Sequence, residues 1–310
     1  MSSMPSGPTY DPLTAAYYGE FVAYAVEMYF SDPSNLTPKP PPGFSALGCQ
    51  IIAYLNAVDM FIDDSRMVFF GYVAQSIAQP NQLIIAIRGT EAPLEWLIDF
   101  ELWPTTFTTI PTAELLVENG FFSIFNTTTF VDSSGNAVPR ADLLAPLVAA
   151  DDAASLTIVG HSLGGALATM LTLDVLYIAP SLKPYTTLYT LASPAVGNSA
   201  FADYFNAAVQ TSFRVWNEYD LVPRAFWFYT HVSGDGDEII QTDQQYDEIT
   251  FSPPCEHALT TYLWLLDPNN PFSEKFASSC EVSNEAARAG RRALRVELKA
   301  RSNQGDFATR

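Results

Sequence analysis

The sequence predicts an α/β fold with a mostly parallel central sheet flanked by helices, and three observations carry that reading. Runs rich in β-branched and aromatic residues recur along the chain. Segments with helical period lie between several of them. The runs are continuously apolar rather than alternating, as strands buried on both faces are. In order, Tyr17, Phe21, Tyr24, Ala25 and Met28 follow helical spacing inside the aromatic-rich stretch 10–30. A proline cluster (Pro38, Pro40, Pro41, Pro42) separates that stretch from the rest. Strands are expected over 67–74, 83–87, 156–159, 186–191 and 213–216, and helices over 141–150 and 166–177. Residues 237–251 read as short strands or a hairpin with an acidic, polar connection. No flexible linker divides this pattern, so one domain is expected over residues 1–285, followed by a basic C-terminal tail, 286–310.

Composition narrows the function. With 310 residues, 48% of them apolar and only 16% charged, the chain can bury a large core, which excludes a disordered protein and a disulfide-stapled miniprotein. A formal net charge of −19 argues against nucleic acid as a partner and against electrostatic attraction to an anionic membrane. The charge is uneven: the tail carries +5 and the remaining 285 residues −24, and the tail reads as a solvated terminal helix. The first basic residue is Lys39, so no secretory leader is expected. The compartment stays open: secreted if a leader has been removed, cytoplasmic otherwise. Residues 153–173 carry no formal charge, yet they include Gly160, Gly164, Gly165, His161 and Ser162 and divide into strand, turn and helix. A soluble protein without a transmembrane segment is expected. Three cysteines allow at most one internal disulfide, three histidines make a metal enzyme improbable, and no cofactor is expected. The acidic cluster Asp235, Asp237 and Glu238 lacks a calcium-loop spacing and reads as a solvated loop.

The chemistry concentrates at residues 156–170, an apolar strand, then Gly160-His161-Ser162-Leu163-Gly164, then a helix opening on small residues. In that context Gly-x-Ser-x-Gly is a nucleophile turn: glycines two residues either side of Ser162 remove the Cβ atoms that would clash at a sharp bend. The hydroxyl is lifted above the sheet at a helix N-terminus, where the Leu163 N–H faces a developing oxyanion. A serine needs a base oriented by a carboxylate. His161 sits in the turn itself, with its side chain directed away from the serine. His231 and His257 both remain open from spacing alone. Asp220 follows the strand at 213–216, at a strand carboxyl end where α/β enzymes place function, with Glu218 as its competitor. Ser, Asp, His is the α/β-hydrolase chain order.

These residues resemble the fungal-type (class 3) lipase family of α/β-hydrolases, over roughly residues 68–263. Ile87-Arg88-Gly89-Thr90 with Trp96 and Asp99 is similar to the family's Arg-Gly-Ser/Thr turn and the start of its lid. Gly120-Phe121, Ser193-Pro194, Val196-Gly197-Asn198, Phe201, and Asn217, Asp220, Val222 and Pro223 resemble later family segments. His257, with Tyr262 behind it, resembles the histidine helix, whereas His231-Val232 resembles a position that is usually not catalytic. The resemblance implies a triad of Ser162, Asp220 and His257 and an oxyanion hole from the N–H groups of Thr90 and Leu163. The first 60 residues and the basic tail resemble no part of the family.

After Thr90 the large apolar residues Leu94, Trp96, Leu97, Ile98, Phe100 and Trp103 cover more of a helix than one buried face needs. The resemblance makes this a short lid helix that covers the site and contacts substrate. A second apolar patch, 226–229, lies between acid and base and is a candidate acyl-pocket lining. The implied function is a carboxylic-ester hydrolase working through an acyl-enzyme, a triacylglycerol lipase first. Its substrate is a lipid or other ester, met at a lipid–water interface. Feruloyl esterase and phospholipase A1 share the pattern. The competing class is an interaction protein that keeps the fold without catalysis, and it is disfavoured because every part is present.

Overall fold

A computed structural model describes residues 9–60, 66–90, 103–111, 114–150, 153–226, 228–232, 236–239, 253–273 and 280. The chain opens with helix α1 (Pro12–Ser31), started by Asp11, whose carboxylate accepts the Thr14 N–H at 2.9 Å, and by Pro12 in the first turn. Then come β1 (Cys49–Val58), β2 (Met67–Ser76) and β3 (Gln82–Ile87), and a two-stranded hairpin of β4 (Pro104–Thr106) and β5 (Leu116–Glu118). After α2 (Asn119–Asn126), β6 (Thr129–Val131) and α3 (Arg140–Ala150), strands and helices alternate. The order is β7 (Ser155–His161), α4 (Leu163–Ile178), β8 (Thr186–Leu191), α5 (Ser199–Ala208), β9 (Thr211–Trp216) and β10 (Gly236–Ile239). Two short helices, α6 (Pro253–His257) and α7 (Leu259–Leu266), follow.

The eight-stranded sheet has the order β10-β9-β8-β7-β3-β2-β1-β6. From β10 to β3 the neighbours run parallel; β3–β2, β2–β1 and β1–β6 are antiparallel. The mostly parallel sheet flanked by helices is thus present, and β3, β7, β8 and β9 are buried along nearly their whole length. Among the described residues, no helix is long and apolar enough to cross a membrane.

Several strands are additional to those expected from the sequence, among them the short β4, β5 and β6. β1 was not expected: Gln50 and Asn56 interrupt its apolar run, and a run of that kind does not separate strand from helix by period. Around 237–251, residues Gly236–Ile239 form a short parallel edge strand, one of the two expected arrangements, with Asp237 opposite Arg214, so Asp237 and Glu238 lie in a strand and not in a loop; residues 240–250 lie outside the described set. The tail 286–310 also lies outside it.

The N-terminal helix, in which the sequence reading found no family resemblance, is part of the main core. Ala15, Ala16, Phe21, Val22, Ala25 and Met28 are buried, Gly19 meets Leu263 of α7 and Leu191 of β8, and the Tyr72 hydroxyl donates to the Phe21 carbonyl at 2.6 Å. Fully burying a side chain such as Phe21 contributes roughly 1.5–3 kcal/mol. α4 is buried on every face from Leu163 to Leu176, and its threonines are tolerated there because Thr169 and Thr172 donate to the carbonyls of Gly165 and Ala168 at 2.9 and 2.8 Å. Glu118 caps α2, accepting the N–H groups of Gly120 and Phe121 at 2.9 and 2.7 Å. Burial nonetheless pushes its carboxyl up to about 7.

Candidate active site

β7 ends at His161, and the chain reverses into α4 through Ser162, which adopts φ 58° and ψ −128°. This left-handed backbone is unusual for a residue with a Cβ and is held by close packing. A Cβ on Gly160 would lie 2.1 Å from the Gly164 carbonyl oxygen, and one on Gly164 would lie 2.3 Å from that of Ile87. Only glycine fits at both, so the bend brings strand β3, strand β7 and the first turn of α4 into backbone contact around the serine.

Ser162, His257 and Asp220 form one hydrogen-bonded chain. His257 Nε2 lies 2.8 Å from Ser162 Oγ, and His257 Nδ1 lies 2.7 Å from Asp220 Oδ2. All three are buried. A carboxylate oxygen only accepts, so Nδ1 carries the proton and Nε2 faces the serine as acceptor. Asp220 takes two further hydrogen bonds, from the Tyr262 hydroxyl at 2.8 Å and the Val222 N–H at 2.9 Å. The Tyr262 hydroxyl in turn accepts the Asn217 N–H at 2.8 Å. Burial, with the Asp220 charge beside it, holds that hydroxyl well above the usual phenol range, so it stays a donor to the carboxylate. The Asn217 side chain donates to both the carbonyl and the carboxylate of Glu256 at 3.1 Å, tying the loop after β9 to α6 just before His257. The Cys255–Cys280 disulfide and the Thr261 hydroxyl, which donates to the Cys255 carbonyl at 2.6 Å, anchor the same short helix.

The remaining histidines are separated by what they touch. His161 donates through Nε2 to the His257 carbonyl at 2.9 Å and lies against its ring, with centroids 4.9 Å apart. Burial first, and the neighbouring His257 second, hold it well below the usual histidine range, so it supports the His257 backbone as a neutral ring. His231 donates to the Pro223 carbonyl at 2.7 Å. The carboxylate bonded to His257 is Asp220, while Glu218 is half-buried beside it in sequence.

The turn at Thr90 packs on the serine: a Cβ on Gly89 would lie 2.9 Å from Ser162 Cβ. Arg88 is buried, yet its Nε donates to the Phe69 carbonyl at 2.8 Å and its Nη1 to the Gly89 carbonyl at 2.7 Å. Its guanidinium lies over the Tyr29 ring at 3.5 Å and the Phe70 ring at 4.7 Å. The Gly89 carbonyl and the Thr90 N–H share one planar trans peptide, so the bond from Arg88 also fixes the direction of that N–H. Leu163 is the first residue of α4, where backbone N–H groups lack intrahelical partners.

The expected lid residues Leu94, Trp96, Leu97, Ile98 and Phe100 lie outside the described residues, as does Trp227. In the aromatic patch, Phe226 and Tyr229 are core residues, with Phe226 edge-on to Phe121 at 5.7 Å, and Phe228 is exposed. The cavity that borders His257 and Thr90 is instead walled by α1 and α7, through residues such as Ala23, Val26, Phe30 and Leu259, and by Phe272 beyond α7. Composition and motif spacing gave no signal for that role of α1. Among the described residues, no three His, Cys, Asp or Glu side chains group as a metal site requires.

Residues 84–229 match the family model "Lipase (class 3)". Phospholipase A1-II 7 of Oryza sativa subsp. indica is 29% identical over 189 residues, covering 50% of this chain and 45% of that protein. The chloroplastic phospholipase A(1) DAD1 of Arabidopsis thaliana is 30% identical over 246 residues, covering 67% of this chain and 54% of that protein. The chain thus spans about half the length of the curated relatives it matches. A Rhizomucor miehei lipase solved as a propeptide complex superposes with a TM-score of 0.57 at 21% identity, covering 86% of this chain and 82% of that one, and shares the fold.

Proposed function

We propose that this chain, which belongs to the class 3 lipase family, is a serine carboxylic-ester hydrolase acting on acyl lipids. The observation that carries the reading is the hydrogen-bonded chain Ser162–His257–Asp220, with the serine at a left-handed bend at the mouth of α4. Ser162 Oγ attacks the ester carbonyl carbon while His257 Nε2 takes its proton. The oxyanion is bound by the N–H groups of Thr90 and Leu163. The C–O bond to the alcohol then breaks, and His257 returns the proton to the leaving oxygen, which gives an acyl-enzyme. Water, deprotonated by the same imidazole, releases the fatty acid. Asp220 keeps Nδ1 protonated and stabilises the imidazolium throughout. Its hydrogen bonds from Tyr262 and Val222 hold it in place for that role.

Triacylglycerol is the first substrate class, on the sequence resemblance. Phospholipase A1 activity is the second reading, favoured by the curated relatives, which carry that name. The disulfide beside His257 supports an oxidising compartment. The test is hydrolysis of emulsified triolein, a diacyl phosphatidylcholine and p-nitrophenyl esters from C2 to C16 by wild type and Ser162→Ala. The variant is expected to lose more than about 10⁴-fold in kcat with its fold intact by circular dichroism. Triolein hydrolysis supports the lipase reading, and release of the sn-1 acid from phosphatidylcholine alone supports the phospholipase. Equal rates in both proteins, or no hydrolysis of any ester, would sink the hydrolase claim.

A further inference from the structure

Resting on the ester-hydrolase reading, we propose that the cavity between α1 and α7 receives the alcohol side of the substrate. In a glycerolipid this is the glycerol unit with its remaining acyl chain, and Val26 and Phe30 of α1, with Thr260 of α7, set how much of it is accommodated.

The cavity has a volume of about 400 Å³, within the range of small-molecule sites. α1 lines one side with Ala23, Val26 and Phe30; Leu259, Thr260 and Phe272 line the other. At its inner end it meets Gly89, Thr90, His161 and His257. The place of His257 in that wall points to which half of an ester it holds. The acyl chain is bonded to the carbonyl carbon, above Ser162 and between the oxyanion donors. The leaving oxygen must lie within reach of His257 Nε2, because that nitrogen returns the proton to it. Whatever is bonded to the leaving oxygen therefore emerges beside His257, where the cavity begins.

The wall also selects the chemistry of the occupant. Its largest contributions are aliphatic and aromatic, which suits a hydrocarbon chain. Two charged residues border it, Glu27 and Arg88. The guanidinium of Arg88 is engaged with the Phe69 and Gly89 carbonyls and stacked on two rings. A phosphate headgroup is thus a poorer occupant than a second acyl chain. Phe30, 59% exposed, stands at the solvent end, where a long chain would leave the cavity.

Two ester series separate this from an acyl pocket: butyrate esters of alcohols from methanol to decanol, and ethyl esters of acids from butyric to palmitic. Each is measured as kcat/KM on wild type, Val26→Trp and Thr260→Trp, two half-buried positions on opposite walls. Thermal melting reports the folding of each variant. In wild type, kcat/KM is expected to rise with alcohol length by about fourfold per methylene (about 0.8 kcal/mol) until the cavity is full. Both Trp variants are expected to flatten the alcohol series while the slope of the acid series persists. A wild-type alcohol series without slope overturns the proposal, and so does a Trp variant that flattens the acid series instead. Neither result touches the hydrolase reading, which fails if wild type cleaves no ester in either series or if Ser162→Ala cleaves them at the wild-type rate.

Discussion

The parallel and antiparallel halves of the central sheet contribute to the molecule in different ways. Three parallel strands deliver the site directly: β3 runs into Arg88–Thr90, β7 into Ser162, and β9 into the loop that ends at Asp220. In a parallel arrangement the carboxyl ends of all strands lie along one edge, and the loops and helix N-termini that follow them converge there. Antiparallel neighbours alternate direction, so β2, β1 and β6 cannot gather their ends in this way. Their part is indirect. The Phe69 carbonyl and Phe70 ring of β2 hold the Arg88 guanidinium, which holds the Gly89 peptide. The comparison teaches that one half positions the proposed triad and the other supplies stability and orientation.

The widest test of that division pairs one substitution from each half. Asp220→Asn is expected to lower kcat by about 10⁴-fold, since an amide at that position favours the wrong imidazole tautomer, with little change in thermal midpoint. Leu55→Ala in β1, buried and remote from the serine, is expected to cost about 2–5 kcal/mol in a denaturant melt. Its kcat per titrated active site should stay at the wild-type value. If Leu55→Ala lowered kcat as Asp220→Asn does, the division between halves would be wrong.

Arg88 bridges the halves and sharpens the comparison. Arg88→Met, which keeps the stem but loses the bonds to the Phe69 and Gly89 carbonyls, is expected to lower kcat by about 10²-fold, at the low end for loss of an oxyanion donor, with KM unchanged. Arg88→Lys, retaining a charge and a donor, should recover part of that loss. A rise in KM at constant kcat would assign Arg88 to substrate binding instead.

The smallest effect concerns Glu118, at the junction of β5 and α2. Its folded pKa, about 7, lies above the 4.5 of an ordinary glutamate. Such a group stabilises the fold fully below about 4.5, and the contribution is lost as pH rises through 7, at about 1.4 kcal/mol for each pH unit between those two values. Glu118→Gln is expected to remove this component, so that the difference between variant and wild-type melting temperatures changes between pH 4.5 and 7 and is level above. A difference profile flat across that window would show that the buried carboxyl keeps an ordinary pKa.

Legibility followed distance along the chain. The strand, bend and helix around Ser162 were readable because every determinant is local: an apolar run, glycines at 160 and 164, and small residues opening α4. Asp220 was readable from its place after a strand. The choice between His231 and His257 was not readable from spacing, because it depends on which loop folds back over Ser162; the family resemblance indicated His257, and the hydrogen bonds are formed by His257. β1 escaped notice because Gln50 and the buried Asn56 interrupt its apolar run. The neutral support from His161, the hydroxyl relay through Tyr262 and the Cys255–Cys280 link each join residues far apart in sequence or on different elements.

By itself, then, the sequence determined the fold class, the bend that carries the serine and the short list of residues able to work with it, since periodicity and glycine sterics act over a few residues. Only the tertiary structure decided which histidine meets the serine, how Arg88 orients the Thr90 peptide, and that the N-terminal helix walls a cavity beside His257. Those are products of long-range packing, where the partner of a side chain is set by how sheet and helices close around one core rather than by its neighbours in the chain.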